Sequence, residues 1–260
     1  MLAVFSITAP IFILIGLGYF AARIGLLERQ QIRGMGTFVI SFALPSLVLK
    51  AMLDRSFSEI FNVNYLIAFT AASVLVYAIG FAWGRWVRKE SFTVSALLAG
   101  GMSTSNSGFI GYPVALSVVG SSAALAMALG MIIENTVLIP LILALSEIGQ
   151  QNRSGLLELV RTTALRLVKS PVIIAITLGL VMSLLEWKPP TIVMRPIEML
   201  AAASAPVALF VIGGSVYGMR IDNLWQDITQ TSTGKLLLHP ILVATAMFLM
   251  PGIDPTLKIA

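Results

Sequence analysis

The residues most able to handle a small solute lie in one stretch. An apolar run starting at Leu97-Leu98-Ala99 gives way to Gly100-Gly101-Met102-Ser103-Thr104-Ser105-Asn106-Ser107-Gly108-Phe109-Ile110-Gly111-Tyr112-Pro113, then returns to apolar Val114–Val119. Glycine and small hydroxyl residues make a poor continuous helix. Pro113 suits the first position of a restarted helix, where its missing N–H is harmless. A half-helix starting there would present free N–H groups and a positive dipole end, which suits an anion. Asn106 adds amide donors, with Ser107, Gly108 and Gly111 around it. Against this stands the reading that small residues merely let helices pack closely in a bilayer. The asparagine and proline in mid-stretch favour a break with a function.

Other candidates are scattered. Glu134, followed by Asn135, falls at the centre of the apolar stretch Ser122–Leu145. A carboxylate there must face the bundle interior, pair with a polar group or carry a proton. Two roles stay open for it: a site coupling transport to protons, or a hydrogen-bond anchor for the broken span. Ser46, one residue after Pro45, is a candidate cavity-lining hydroxyl. His239, the single histidine, precedes Pro240 and reads as an interfacial residue more readily than as a proton relay. Lys50, at the end of its span, reads as a snorkelling side chain. The 12 methionines read as packing residues. An enzyme would need more: H-E-x-x-H and G-x-S-x-G are missing, there is no cysteine, and one histidine leaves little from which to build a metal site or a Ser–His pair. No catalytic residue, metal or cofactor is expected.

The elements positioning these residues follow from composition. The chain has 260 residues, 57% of them apolar and 11% charged, with a mean hydropathy of +0.92. Soluble domains are nearer one-quarter charged, so the composition points to a polytopic membrane protein. Eight apolar stretches qualify as spans: Val4–Ala22, Met35–Leu53, Val63–Trp83, Thr93–Val119, Ser122–Leu145, Pro171–Leu185, Ile197–Tyr217 and Leu236–Met250. They lack the dyad alternation of barrel strands, so they read as helices. The odd-numbered connections carry Arg23, Arg29, Arg33, Arg85, Arg88, Lys89, Arg153, Arg161, Arg166, Lys169, Arg220 and Lys235. The even ones and the tail carry only Lys50, Arg55, Lys188, Arg195 and Lys258. This bias puts the odd connections in the cytoplasm and the N-terminus outside. The net charge of +5 is then topology, and nucleic acid is not an expected partner. The connection 146–170 reads as a flexible linker followed by the helical stretch Leu156–Val168, suited to the cytoplasmic membrane surface or to an ordinary amphipathic connector.

The prolines suggest a repeat. Pro10 and Pro45 are spaced like Pro171 and Pro206, and the same shift of 161 residues carries Gly18 onto Gly179. Pro45 and Pro206 each fall inside the second span of a copy and read as helix breaks. Chance is the competing account of so few matches. The copies begin at spans one and six, so an odd number of crossings separates them and the repeat is inverted, as in many secondary transporters.

Asn106-Ser107-Gly108-Phe109-Ile110-Gly111-Tyr112-Pro113 resembles the N-x-x-x-x-G-x-P crossover motif of the auxin efflux carrier family, which includes bacterial malonate-type carriers and plant PIN carriers. Leu44-Pro45-Ser46-Leu47-Val48, Ser170-Pro171-Val172-Ile173-Ile174, Ala205-Pro206-Val207-Ala208-Leu209-Phe210 and Lys235-Leu236-Leu237-Leu238-His239-Pro240 are similar to family segments in the same order. The resemblance implies an all-α fold of two inverted five-helix repeats with a broken fourth helix in each. It implies a secondary carrier of organic-acid anions in the plasma membrane (the inner membrane of a bacterium), its substrate held at the crossover by residues such as Asn106. Eight of ten helices are then expected here: residues 1–147 as the first repeat, 148–170 as a linker, and 171–260 as three helices of the second. A second crossover would fall near 267–274, so a C-terminal truncation is expected. Coupling to H⁺ or Na⁺, a homodimer, a sodium-coupled symporter of related fold, and a non-transporting receptor or scaffold remain open.

Overall fold

The computed structural model describes residues 2–54, 62–149, 161, 165, 168–219 and 224–253, with side chains from residue 9 onward and none at 147–149. These residues form helices and connections, with no strand among them. Helix α1 covers Leu2–Arg23 and α2 covers Arg29–Leu53. Helix α3 covers Val63–Val87 and α4 covers Phe92–Ser103. Helix α5 covers 107–119 and α6 covers 122–149. Helices α7 (Pro171–Leu184), α8 (Thr191–Val216) and α9 (Trp225–Leu249) complete the described set. Five of these are long and apolar enough to cross a membrane: α2, α3, the Ser122–Ser146 part of α6, α8 and α9. Two shorter apolar helices are Ala9–Arg23 and Pro171–Leu184.

The expected spans therefore correspond to helices, with shifted boundaries. The largest shift concerns the eighth, expected to begin at Leu236. Helix α9 begins at Trp225 because polar Trp225–Thr233 is helical too, with Asp227 in its first turn. Arg88 holds that turn, donating to Asp227 at 2.7 Å and to Gln230 Oε1 at 2.8 Å. Lys235, expected in a cytoplasmic connection, thus lies ten residues past the start of a helix. The linker core from Gln150 to Gly155, the stretch Leu156–Val168 except Arg161, Leu165 and Val168, and Arg55, Arg220 and Lys258 lie outside the described residues.

Four prolines share one local solution. A π-helical turn ends two residues before each of Pro45, Pro113, Pro140 and Pro240: Val39–Ala43, Ser107–Gly111, Glu134–Leu138 and Gly234–Leu238. The residue before each proline donates its N–H to the carbonyl five back, as Leu44 does to Val39 and His239 to Gly234. Proline offers no N–H and crowds the carbonyl four residues earlier. Slipping the ladder to i→i+5 relieves that clash without ending the helix. Pro45 is accordingly not a break, since α2 continues through it. Pro206 is not a break either, because α8 runs on from Thr191 to Val216.

Helix α1 packs along α8, and α7 packs along α2. Both seams rest on glycine. A Cβ on Gly18 would land on the Phe210 carbonyl, one on Gly213 would land on the Ile15 carbonyl, and one on Gly179 would strike Met52. The backbones approach so closely only because no side chain intervenes, the usual packing device of helices in lipid. Helices α2 and α8 also meet each other, as do α3 and α9.

Candidate functional site

Helix α4 ends where the sequence runs out of helix formers. The Gly100 carbonyl accepts both the Thr104 N–H at 3.0 Å and the Thr104 hydroxyl at 2.8 Å, and Thr104 turns extended. Ser105 and Asn106 carry the chain across, and α5 starts at Ser107. The Asn106 carbonyl accepts the N–H groups of Ile110 at 3.1 Å and Gly111 at 2.9 Å. The restart therefore lies six residues earlier than Pro113, the position suggested by its lack of an N–H. The π turn lets the helix begin at Ser107 and absorb Pro113 inside it, where the ring is buried. The first free N–H groups belong to Ser107–Phe109.

Glu134 bridges the gap. Its Oε1 accepts the Ser105 backbone N–H at 2.6 Å and the Ser105 hydroxyl at 2.7 Å. The Ser105 hydroxyl also contacts that of Ser107. Glu134 is the thirteenth of 25 residues in Ser122–Ser146, so the bond is made near mid-depth. A buried carboxylate and an unwound N–H, each costly alone in lipid, satisfy one another.

Beside this bridge lies a cavity of about 500 Å³. Its lining includes polar Ser105, Asn106, Ser107, Lys235 and His239 and apolar or aromatic Tyr65, Phe69, Met127, Val243 and Met247. Asn106, Ser107 and Gly111 line it as expected of a site. Gly108, Pro113, Ser46, Glu134 and Asn135 do not. Gly108 is buried against Leu44, Ser46 is half-buried on α2, and the Asn135 amide donates to the Met131 carbonyl at 2.8 Å. Glu134 acts one step behind the cavity wall, through Ser105.

Two lining residues escape a reading by hydropathy alone. Lys235 and His239 are the eleventh and fifteenth residues of α9, one turn apart on the face that continues through Val243 and Met247. His239 is thus not interfacial. It is 6% exposed, its Nε2 is 2.9 Å from the Ser73 hydroxyl, and its ring stands edge-on to Phe69. A window that discounts polar Trp225–Thr233 starts the helix too late and places both residues at its end. The useful signal was Pro240, which marks a π turn as Pro45 and Pro113 do. Two π turns, at Ser107–Gly111 and Gly234–Leu238, contribute residues to the cavity lining, and a third, Glu134–Leu138, begins at the carboxylate that holds Ser105. Such turns reorient side chains within a continuous helix and recur at functional sites.

Comparison with known proteins places the chain beside membrane transporters. Residues 3–258 match the family described as "Membrane transport protein". The chain is 27% identical over 258 residues to a "Putative malonate transporter" of Rhizobium meliloti (strain 1021), covering 98% of this chain and 80% of that protein. It is 26% identical over 243 residues to an "Uncharacterized transporter" of Escherichia coli (strain K12), covering 89% and 74%. It is also 25% identical over 245 residues to a "Lysosomal cholesterol signaling protein" of Mus musculus, covering 86% of this chain and 27% of that one.

Proposed function

The chain belongs to the membrane transport protein family, which is the auxin efflux carrier family, and we propose that it is a secondary carrier of small organic-acid anions working by alternating access around the break between α4 and α5. The observation that carries this reading is the cavity at the break. Unwound backbone at mid-depth is tolerated where it lines a polar cavity. Here Ser105, Asn106 and Ser107 line one, and the free N–H groups of a 13-residue helix begin beside it. A carboxylate suits those donors, and malonate, named for one relative, is the first substrate to test.

An inverted repeat explains the seams. The shift of 161 residues pairs α1 with α7 and α2 with α8, so the α1–α8 and α7–α2 seams are the same contact made twice. Gly18 meets Phe210 and Gly179 lies against Leu49, and Leu49 maps onto Phe210 under that shift. Residues 1–147 form one repeat, 148–170 a linker, and 171–260 the start of the second. Eight spans cross a plasma membrane, with the N-terminus outside.

In proteoliposomes, Asn106→Ala raises the KM for malonate about tenfold, the scale of a lost charge-assisted hydrogen bond. A wild-type KM in that variant rejects the site.

A further inference from the structure

A charge buried in a membrane protein is normally neutralised by a partner or used. Lys235 is the cation at the cavity, and no carboxylate among the described residues lies within ion-pair distance of its ammonium. Its placement is built. A Cβ on Gly234 would overlap Met102, and one on Gly101 would press on Thr231, so two glycines bring α9 against the end of α4. That approach carries Lys235 to the break, about 15 Å along α9 from Trp225 at 1.5 Å per residue.

Among the described residues, the acid whose charge reaches Lys235 already has one oxygen occupied. Glu134 is close enough for its charge to act on Lys235, yet its Oε1 takes both donors of Ser105. Lys235 is half-buried, facing a space lined by Ser105, Asn106 and Ser107, all of which have donors to offer. One turn further along α9, His239 is tied to Ser73.

We propose that Lys235 is the specificity-determining cation of the carrier: its ammonium pairs with a carboxylate of the substrate and rejects neutral analogues of the same shape. This rests on the carrier reading above. An ammonium on a flexible stem supplies a point charge with three donors, matching one carboxylate without fixing its orientation. Orientation is left to Asn106 and the backbone of the break.

The chain contains no cysteine, so Lys235→Cys introduces its single thiol and permits the charge to be put back. The full chain is purified in nanodiscs and its binding of radiolabelled malonate, acetate and succinate is measured, with malonamide as the neutral competitor. Lys235→Cys and Lys235→Met are expected to bind malonate at least tenfold more weakly and to lose the preference for malonate over malonamide. Treating Lys235→Cys with 2-aminoethyl methanethiosulfonate, which attaches an ammonium, is expected to restore most of the affinity; methyl methanethiosulfonate, which attaches a neutral group, is not. Lys235→Met removes a charge from a span, so insertion is not the obstacle. Malonate affinity unchanged in both variants overturns the role of Lys235 and leaves the carrier reading standing. Equal rescue by the two reagents also overturns it, because bulk and not charge would then matter. A wild-type protein that binds none of the three carboxylates overturns the carrier reading and this inference with it.

Discussion

The stretch from Phe92 to Val119 and the helix from Thr191 to Val216 both carry proline, glycine and serine deep in an apolar run, yet only the first is interrupted. In the first, a partner waits on a neighbouring helix: Glu134 accepts the N–H and hydroxyl that Ser105 releases. In the second, Pro196 and Pro206 sit within a helix that continues past them, and the buried Ser204 hydroxyl has no partner among the described residues. Its Gly213 presses on the Ile15 carbonyl of α1. Breakers in the sequence therefore do not decide where a helix opens in lipid. An opening persists where the freed polar groups are met from outside the helix. The first stretch is organised around a site and the second around a seam.

The sharpest test of that contrast is to damage the seam. A side chain at Gly18 would collide with backbone, which cannot move aside as a flexible side chain can. Gly18→Leu should separate α1 from α8 and remove most folded protein, read as loss of a monodisperse peak in size-exclusion chromatography. Gly16, on the same helix with nothing within 4 Å of its would-be Cβ, should accept leucine with little change. Protein from Gly18→Leu that elutes like the wild type would show that the seam is not close-packed.

Damage to the break should spare the fold and remove the function. Glu134→Ala leaves two donors of Ser105 without an acceptor, at about 1–3 kcal/mol. Malonate uptake should fall on the order of a hundredfold, as two factors of ten at 1.4 kcal/mol each, while the size-exclusion profile is retained. Glu134→Gln separates the two roles left open for this residue. Glutamine still offers an oxygen to Ser105 but cannot exchange a proton. Loss of gradient-driven uptake with malonate exchange preserved assigns Glu134 to proton coupling. Equal retention of both assigns it to the anchor alone.

Where sequence reading succeeded and where it stopped follows the same physics. The break at Thr104–Asn106 was legible because helix propensity and apolar context are local properties. The restart at Ser107 in place of Pro113 was not, since the rule for proline at a helix start does not foresee a π turn that absorbs the ring. Lys235 and His239 were misplaced because the polar first turns of α9 are held by Arg88, which is distant in sequence. Gly18 and Gly179 were legible as a pair, although their meaning came only with the backbones they touch. Local chemistry could be read directly. Partnership across helices could not.

The smallest effect expected separates two prolines that look alike in sequence. Pro113 follows a π turn whose Ser107 and Gly111 line the cavity, whereas Pro206 follows no such turn. Pro113→Ala supplies an N–H that allows the ladder to return to i→i+4, which rotates the residues before it by a fraction of a turn. Malonate uptake should fall about fivefold, which is about 1 kcal/mol of transition-state stabilisation. Pro206→Ala restores a missing bond within a helix already continuous through that position, so uptake should stay within about twofold and thermal stability should hold or rise slightly. If the two alanine variants behave alike, the π turn is a packing detail and the contrast between site and seam fails at this point. If only Pro113→Ala loses uptake, the turn holds the break in the geometry that the anion requires.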